Sequence, residues 1–183
     1  MIDYLINNFY RYFGVFSNSP KKEIEANKEK IRTSIRDNKP ISFKLDLEGI
    51  IPPVEFGRNQ DIVVNKAYSQ ISSLNPWDQL IDQQFWFVNK TSTDTLAFGH
   101  LFNGDINSAI DTWEKDKNMY SLQNLFVCYL IKEDYKTAIL NCAIPLYEQY
   151  SNDIDYLNIF VVKRIDEKYK KHILFQQLTR WRN

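Results

Sequence analysis

Residues 65–88, NKAYSQISSLNPWDQLIDQQFWFV, decide how the rest of the chain is read. The segment carries two of the four tryptophans, Trp77 and Trp86, and interrupts helical periodicity at Asn75-Pro76. Upstream, Ile62, Val63, Ala67, Tyr68, Ile71 and Leu74 recur at helical spacing, which predicts a helix from Arg58 to Asn75. Downstream, Pro76 suits the start of a second helix, because the amide it lacks would have no partner there. Trp77, Leu80, Ile81, Phe85, Trp86 and Phe87 are too many apolar residues for one surface stripe. A helix over 77–88 is therefore predicted to be buried on most of its circumference and to weld the two halves of the chain into one core.

Working outward, composition narrows the class. At 183 residues and 44% hydrophobic, the chain can bury about 70% of its unfolded surface. Five glycines and six prolines are few for an all-β protein, so helices are favoured. The 23 basic and 23 acidic side chains cancel, which removes the global attraction to nucleic acid that a basic protein has. Cys128 and Cys142 are too few for a disulfide framework and read as free thiols in a reducing compartment. The opening MIDYLINNFYRYFGVF lacks a basic leader and a cleavage site, and no run approaches ~18 apolar residues, so a cytoplasmic chain without membrane contact is expected.

In the first half, Ile2, Leu5, Ile6, Phe9 and Phe13 predict one short helix over 2–13 ended by Gly14. Ser19 is a candidate cap and Pro20 the first helical residue of a second helix reaching Asn38, with a thin apolar stripe and a basic outer face. Lys39-Pro40 ends it, because the residue before proline is pushed out of the α region. Residues 40–57 hold three prolines and two glycines and read as a long ordered loop. A short alternation there suggests an extended strap laying Phe43, Leu45, Ile50 and Ile51 over the helices.

Three pieces of this half resemble the J domain of co-chaperones. They are Phe9-Tyr10-Arg11-Tyr12-Phe13-Gly14-Val15, then Ser19-Pro20-Lys21-Lys22-Glu23-Ile24, then Asn65 to Ile71 followed by Asn75-Pro76 and Leu80-Ile81-Asp82. The resemblance covers about residues 7–84 and implies a bundle whose basic second helix faces a partner, which nominates Lys28, Arg32 and Arg36. The His-Pro-Asp tripeptide that J domains use to stimulate the partner ATPase is missing: the corresponding place reads Asp37-Asn38-Lys39-Pro40, and the first histidine is His100. The resemblance therefore implies a J-like scaffold without its usual activating element.

The second half contains an internal repeat. Leu96 to Leu101, Asp105, Ala109 and Ile110 realign on Leu125 to Leu130, Asp134, Ala138 and Ile139, each pair 29 residues apart. Each copy reads helix, tight turn, helix, with Ala109 or Ala138 letting the two helices approach. This resembles a tetratricopeptide hairpin, although that family repeats at about 34 residues. Thr93 with Asp94 is the expected cap of the first hairpin helix, and Ser121 with Asn124 that of the third. Pro145 predicts a kink near Asn141. Two repeats leave apolar ends, so helices within 151–183 are expected to cap the array.

No constellation supports catalysis. His100 and His172 are not spaced with the cysteines as metal ligands, no phosphate loop or nucleophile elbow is present, and the acidic pairs sit at helix starts or in mixed charge runs. The expectation is an all-α protein: a J-like subdomain over 1–88, packed on two tetratricopeptide-like hairpins and C-terminal capping helices over 89–183. It would act as a non-catalytic protein-interaction or co-chaperone-like scaffold, without cofactor or metal, binding a protein or peptide. Repeats present a concave face built from the first helix of each pair, which nominates His100, Asn103, Gln123, Asn124 and Tyr129 as partner contacts. Two alternatives are regulation of an Hsp70-type ATPase through helix 20–38, and nucleic-acid binding through the basic C-terminal region, which Asp166 and Glu167 dilute.

Overall fold

The apolar N-terminal stretch forms two short helices where one was expected, α1 (Ile2–Ile6) and α2 (Phe9–Tyr12). Asn8 is the reason: buried between them, its side chain accepts the Tyr10 amide at 3.0 Å and caps α2, competing with helix continuation. The computed structural model describes residues 2–52, 54, 60–72 and 83–150, and every regular element among them is helical. None of these helices is long and apolar enough to cross a membrane.

Helix α3 (Lys21–Arg36) starts behind Pro20, one residue later than expected, because the Ser19 hydroxyl accepts the Phe16 amide at 3.1 Å and leaves the helix end uncapped by a side chain. It buries Ile24 and Ile31 and pairs antiparallel with α4 (Gln60–Ser72), which buries Val64 and Ala67. Arg32 Nη2 donates to Asn65 Oδ1 at 2.6 Å, and Tyr68 donates its hydroxyl proton to Glu25 at 2.9 Å.

The loop after α3 is a strap, but not an extended one. Lys44–Asp46 form a 3-10 turn that the Asp46 carboxylate closes by accepting the Phe43 amide. Burial pushes the Asp46 carboxyl above the ordinary carboxylate range, against the pull of that hydrogen bond and of Arg11. Leu45, Leu47 and Ile51 are the strap's buried side chains and join the apolar core. The buried Arg11 guanidinium donates to the carbonyls of Ile6 and Pro52, so one side chain ties the end of α1 to the far end of the strap. Its burial lowers its pKa, with the Asp46 charge opposing.

Phe43 lies directly on Gly14, which sits at φ +58° and follows α2; a Cβ there would fall 2.1 Å from Phe43 Cγ. Both backbone and neighbour therefore demand glycine. Gly14→Ala is expected to cost roughly 2–3 kcal/mol by denaturant titration. The cost should shrink in a Phe43→Ala background; fully additive costs would show that the contact contributes nothing.

The second half consists of α5 (Ser92–Phe102), α6 (Ile106–Asp116), α7 (Met119–Ile131) and α8 (135–150). Caps fall slightly earlier than expected. Thr91 forms a reciprocal capping box with Asp94, and Asn118 caps α7 by accepting the Tyr120 and Ser121 amides. The 29-residue offset seen in the sequence is repeated bond for bond. The Asp105 amide reaches the His100 carbonyl at 3.0 Å, and the Asp134 amide the Tyr129 carbonyl at 2.9 Å. Asp105 then caps Ser108, as Asp134 caps Thr137. The left-handed turn position is Gly104 in one copy and Glu133 in the other.

Helix α8 runs as α over Tyr135–Thr137, π over Ala138–Ala143 and α over Ile144–Tyr150. The disturbance expected from Pro145 is thus a widened turn. In this i→i+5 ladder the Ile144 amide donates to the Ile139 carbonyl, and the next donor in register would be the amide that Pro145 lacks. The expected capping helices at 151–183 lie outside the described residues.

Helix α7 sits at the centre, with residues 121–128 buried without interruption and α1, α6 and α8 packed around it. The expected helix over 77–88 is corrected here. Residues 73–82 lie outside the described set; Gln83 and Gln84 are helical, but Phe85 turns, Trp86 bends, and 87–90 is non-helical. This buried irregular run belongs to one apolar cluster that extends from Leu5 through Trp86 to Cys142 and so includes both halves.

Candidate functional site

A buried non-helical backbone must find partners for its amides and carbonyls, or lose one to three kcal/mol for each group left out. In segment 83–88 polar side chains provide them. Asn124 accepts the Val88 amide at 2.9 Å and donates to the Val88 carbonyl at 2.8 Å, imitating a strand neighbour. Gln123 donates to the carbonyls of Gln83 and Trp86, both at 3.0 Å. From the other side, the Ser17 amide and hydroxyl both donate to the Phe87 carbonyl, and Trp86 Nε1 donates to the Val15 carbonyl at 2.8 Å.

Asp94 completes the junction. Wholly buried, its Oδ1 accepts Trp113 Nε1 at 2.9 Å and Asn124 Nδ2 at 3.0 Å, while Oδ2 accepts the amides of Lys90 and Thr91 at 2.9 and 2.8 Å. Four converging donors hold a carboxylate that, among the described residues, forms no ion pair. Asp94 is thus both a member of the α5 capping box and the acceptor at the centre of the junction.

This places two of the nominated contact residues. Gln123 and Asn124 are 1% and 0% exposed, and their amides are used inside the protein. With α7 enclosed, the first helices of the two hairpins do not line a shared open groove. Tyr129 is half-buried and donates its hydroxyl to Glu114 at 2.7 Å; burial, then that carboxylate, push its phenol upward. Of the basic set, Lys28 is half-buried with Nζ 3.7 Å from the Tyr68 ring centroid. Arg32 is half-buried between Glu29 and Asn65, and Arg36 is exposed beside Asp37. Lys28 and Arg32 are therefore engaged with α4 and with their own helix.

The remaining nominees, His100 and Asn103, lie on α5 and at its C-terminal cap. Helical spacing gathers Ser92, Thr95, Leu96, Gly99, Phe102 and Asn103 on the outer side, all exposed, with half-buried His100 at its edge. Leu96 is 60% exposed. A Cβ on Gly99 would meet nothing within 4 Å, so no internal contact explains a glycine in mid-helix. Gly99→Ala is accordingly expected to raise stability by about 0.5–1 kcal/mol in denaturant titration; a loss would reveal a packing constraint at that turn.

Other chemistry is sparse among the described residues. No group of three or more His, Cys, Asp or Glu is placed to hold a metal ion. Burial pushes the Cys142 thiol up to about 12 and the Cys128 thiol higher, which removes the thiolate needed for nucleophilic chemistry. A cavity of about 320 Å³ between Tyr12 and the strap, lined by Phe43, Asp46 and Glu48 among others, includes none of the nominated residues. Compared with known proteins, the chain matches no family model, no curated protein and no solved structure.

Proposed function

We propose that the chain is a non-catalytic protein-interaction module, a co-chaperone-like scaffold whose contact surface is the outer side of α5. The observation behind this reading is the exposed Leu96 beside a glycine that the fold itself does not need. An exposed glycine in mid-helix weakens the helix, and its use is to let another backbone come close. His100 and Asn103 add polar groups at the margin of that surface. The thiols held protonated and the hydrogen-bonded Asp94 carboxylate favour a structural reading of the polar core.

The test is affinity capture from extracts of cells that express the chain, comparing wild type with Leu96→Glu, whose exposed position leaves folding intact. A protein retained by wild type at native salt and lost with Leu96→Glu is the expected result. Nothing retained, or equal retention by both, would overturn the proposal.

A further inference from the structure

The cavity of about 320 Å³ between Tyr12 and the strap has walls of two kinds. Tyr12, Ile41, Phe43 and Ile51 line it with apolar surface, while Asp46 and Glu48 line it with carboxylates. No described Lys, Arg or His is among its lining residues. Among the described residues neither carboxylate forms an ion pair. Asp46 is fixed in place, because its Oδ2 accepts the Phe43 amide; its Oδ1 accepts no hydrogen bond from a described residue. Glu48 is exposed. Two cations approach these walls without lining the cavity. Arg11 directs its guanidinium to the carbonyls of Ile6 and Pro52, and Lys30 Nζ stands 5.8 Å from the Phe43 ring centroid. The pull of Arg11 on the Asp46 carboxyl is outweighed by burial, so the charge of Asp46 is left under-compensated.

We propose that this cavity binds a small arylalkyl amine, its primary ammonium held by the Asp46 and Glu48 carboxylates and its aromatic body placed against Tyr12 and Phe43. The site shares no residue with α5 and does not depend on the contact surface proposed above. Other ligand chemistries fit these walls less well. An anion would meet two carboxylates and no base. A neutral apolar molecule would strip water from carboxylates without offering them a donor, which is costly. A metal ion lacks ligands, since no group of three or more His, Cys, Asp or Glu is placed to hold one among the described residues. An ammonium brings three donors, enough for both carboxylates, and is drawn to the faces of aromatic rings. An aromatic body then displaces water along the apolar walls. The volume lies at the lower end of the about 300–1,000 Å³ of ligand sites, which suits a small molecule. At that size the expected Kd is modest, about 50 µM to 2 mM.

Ligand-observed NMR titration of the full chain with 2-phenylethylamine, up to about 10 mM, covers that range. Saturable binding is the expected result. The anion 3-phenylpropionate, similar in shape and opposite in charge, is expected to bind at least about tenfold more weakly. Glu48→Gln removes one charge from an exposed position and is expected to weaken binding about fivefold. Glu48→Lys brings an ammonium of its own to the cavity and is expected to keep the wild-type circular dichroism and lose binding. Absence of saturation with wild type overturns the proposal, as does 3-phenylpropionate binding equally well. Unchanged affinity in either Glu48 variant overturns it too, because the amine would then be bound elsewhere. Tighter binding of Nα-acetyl-lysine amide than of 2-phenylethylamine overturns a free aryl amine as the occupant.

Discussion

Trp86→Ala is expected to lower the unfolding free energy by about 3–5 kcal/mol, the range for emptying a large buried aromatic site. Trp86 has no exposed surface and packs edge-on to Phe87 with ring centroids 5.4 Å apart. Its indole also satisfies the Val15 carbonyl, so truncation leaves both a void and an unpaired acceptor. Denaturant titration followed by circular dichroism measures the loss. Trp113 fluorescence, isolated by replacing Trp77 and Trp181 with Phe in both proteins compared, reports on the second half and should shift by the same amount. A loss below ~1 kcal/mol, or a shift in one signal only, would mean that the two halves fold independently.

Asp94→Asn is the second large effect, although the replacement keeps the shape of the side chain. Every group that meets Asp94 is a donor: Trp113 Nε1, Asn124 Nδ2 and the amides of Lys90 and Thr91. An amide offers one oxygen, so its NH2 must face two donors, and the charge that strengthened the remaining bonds is gone. The expected cost is roughly 2–5 kcal/mol, from two unmade buried bonds and two weakened ones. Thermal or denaturant unfolding checks it. A cost within ~0.5 kcal/mol of zero would show that the junction rearranges freely around position 94.

The helical class and the 29-residue repeat were legible because both are local. Apolar spacing, a left-handed turn residue and an aspartate cap recur within each copy, and Asp105 and Asp134 perform the same hydrogen bonding. The 85–88 run was not legible. Phe85-Trp86-Phe87-Val88 is equally apolar as a buried helix turn or as a buried irregular segment. What decides between them, Ser17 and Asn124, lies far away in sequence. The same remoteness misplaced Gln123 and Asn124. A polar side chain on a helix ordinarily faces water, and nothing local shows that these two serve as substitutes for a missing backbone neighbour. Lys28 was read as part of a solvated basic face because the Tyr68 ring it covers comes from another helix. On α5, Asp94 stands within the helix sequence like a surface acid; only its burial reveals that the helix's own exposed residues carry no charge.

The hydrogen bonds of segment 83–88 also bear on folding order. The Phe87 carbonyl waits for a serine 70 positions earlier, the Trp86 indole for a carbonyl 71 positions earlier, and the Val88 amide for an asparagine 36 positions later. Each hairpin can form from neighbours alone, but this segment closes loops in both directions at once, and loop closure costs entropy before any bond is made. The segment is therefore expected to settle last. On that expectation, its docking is the step that joins the helices before it and those after it into one kinetic unit.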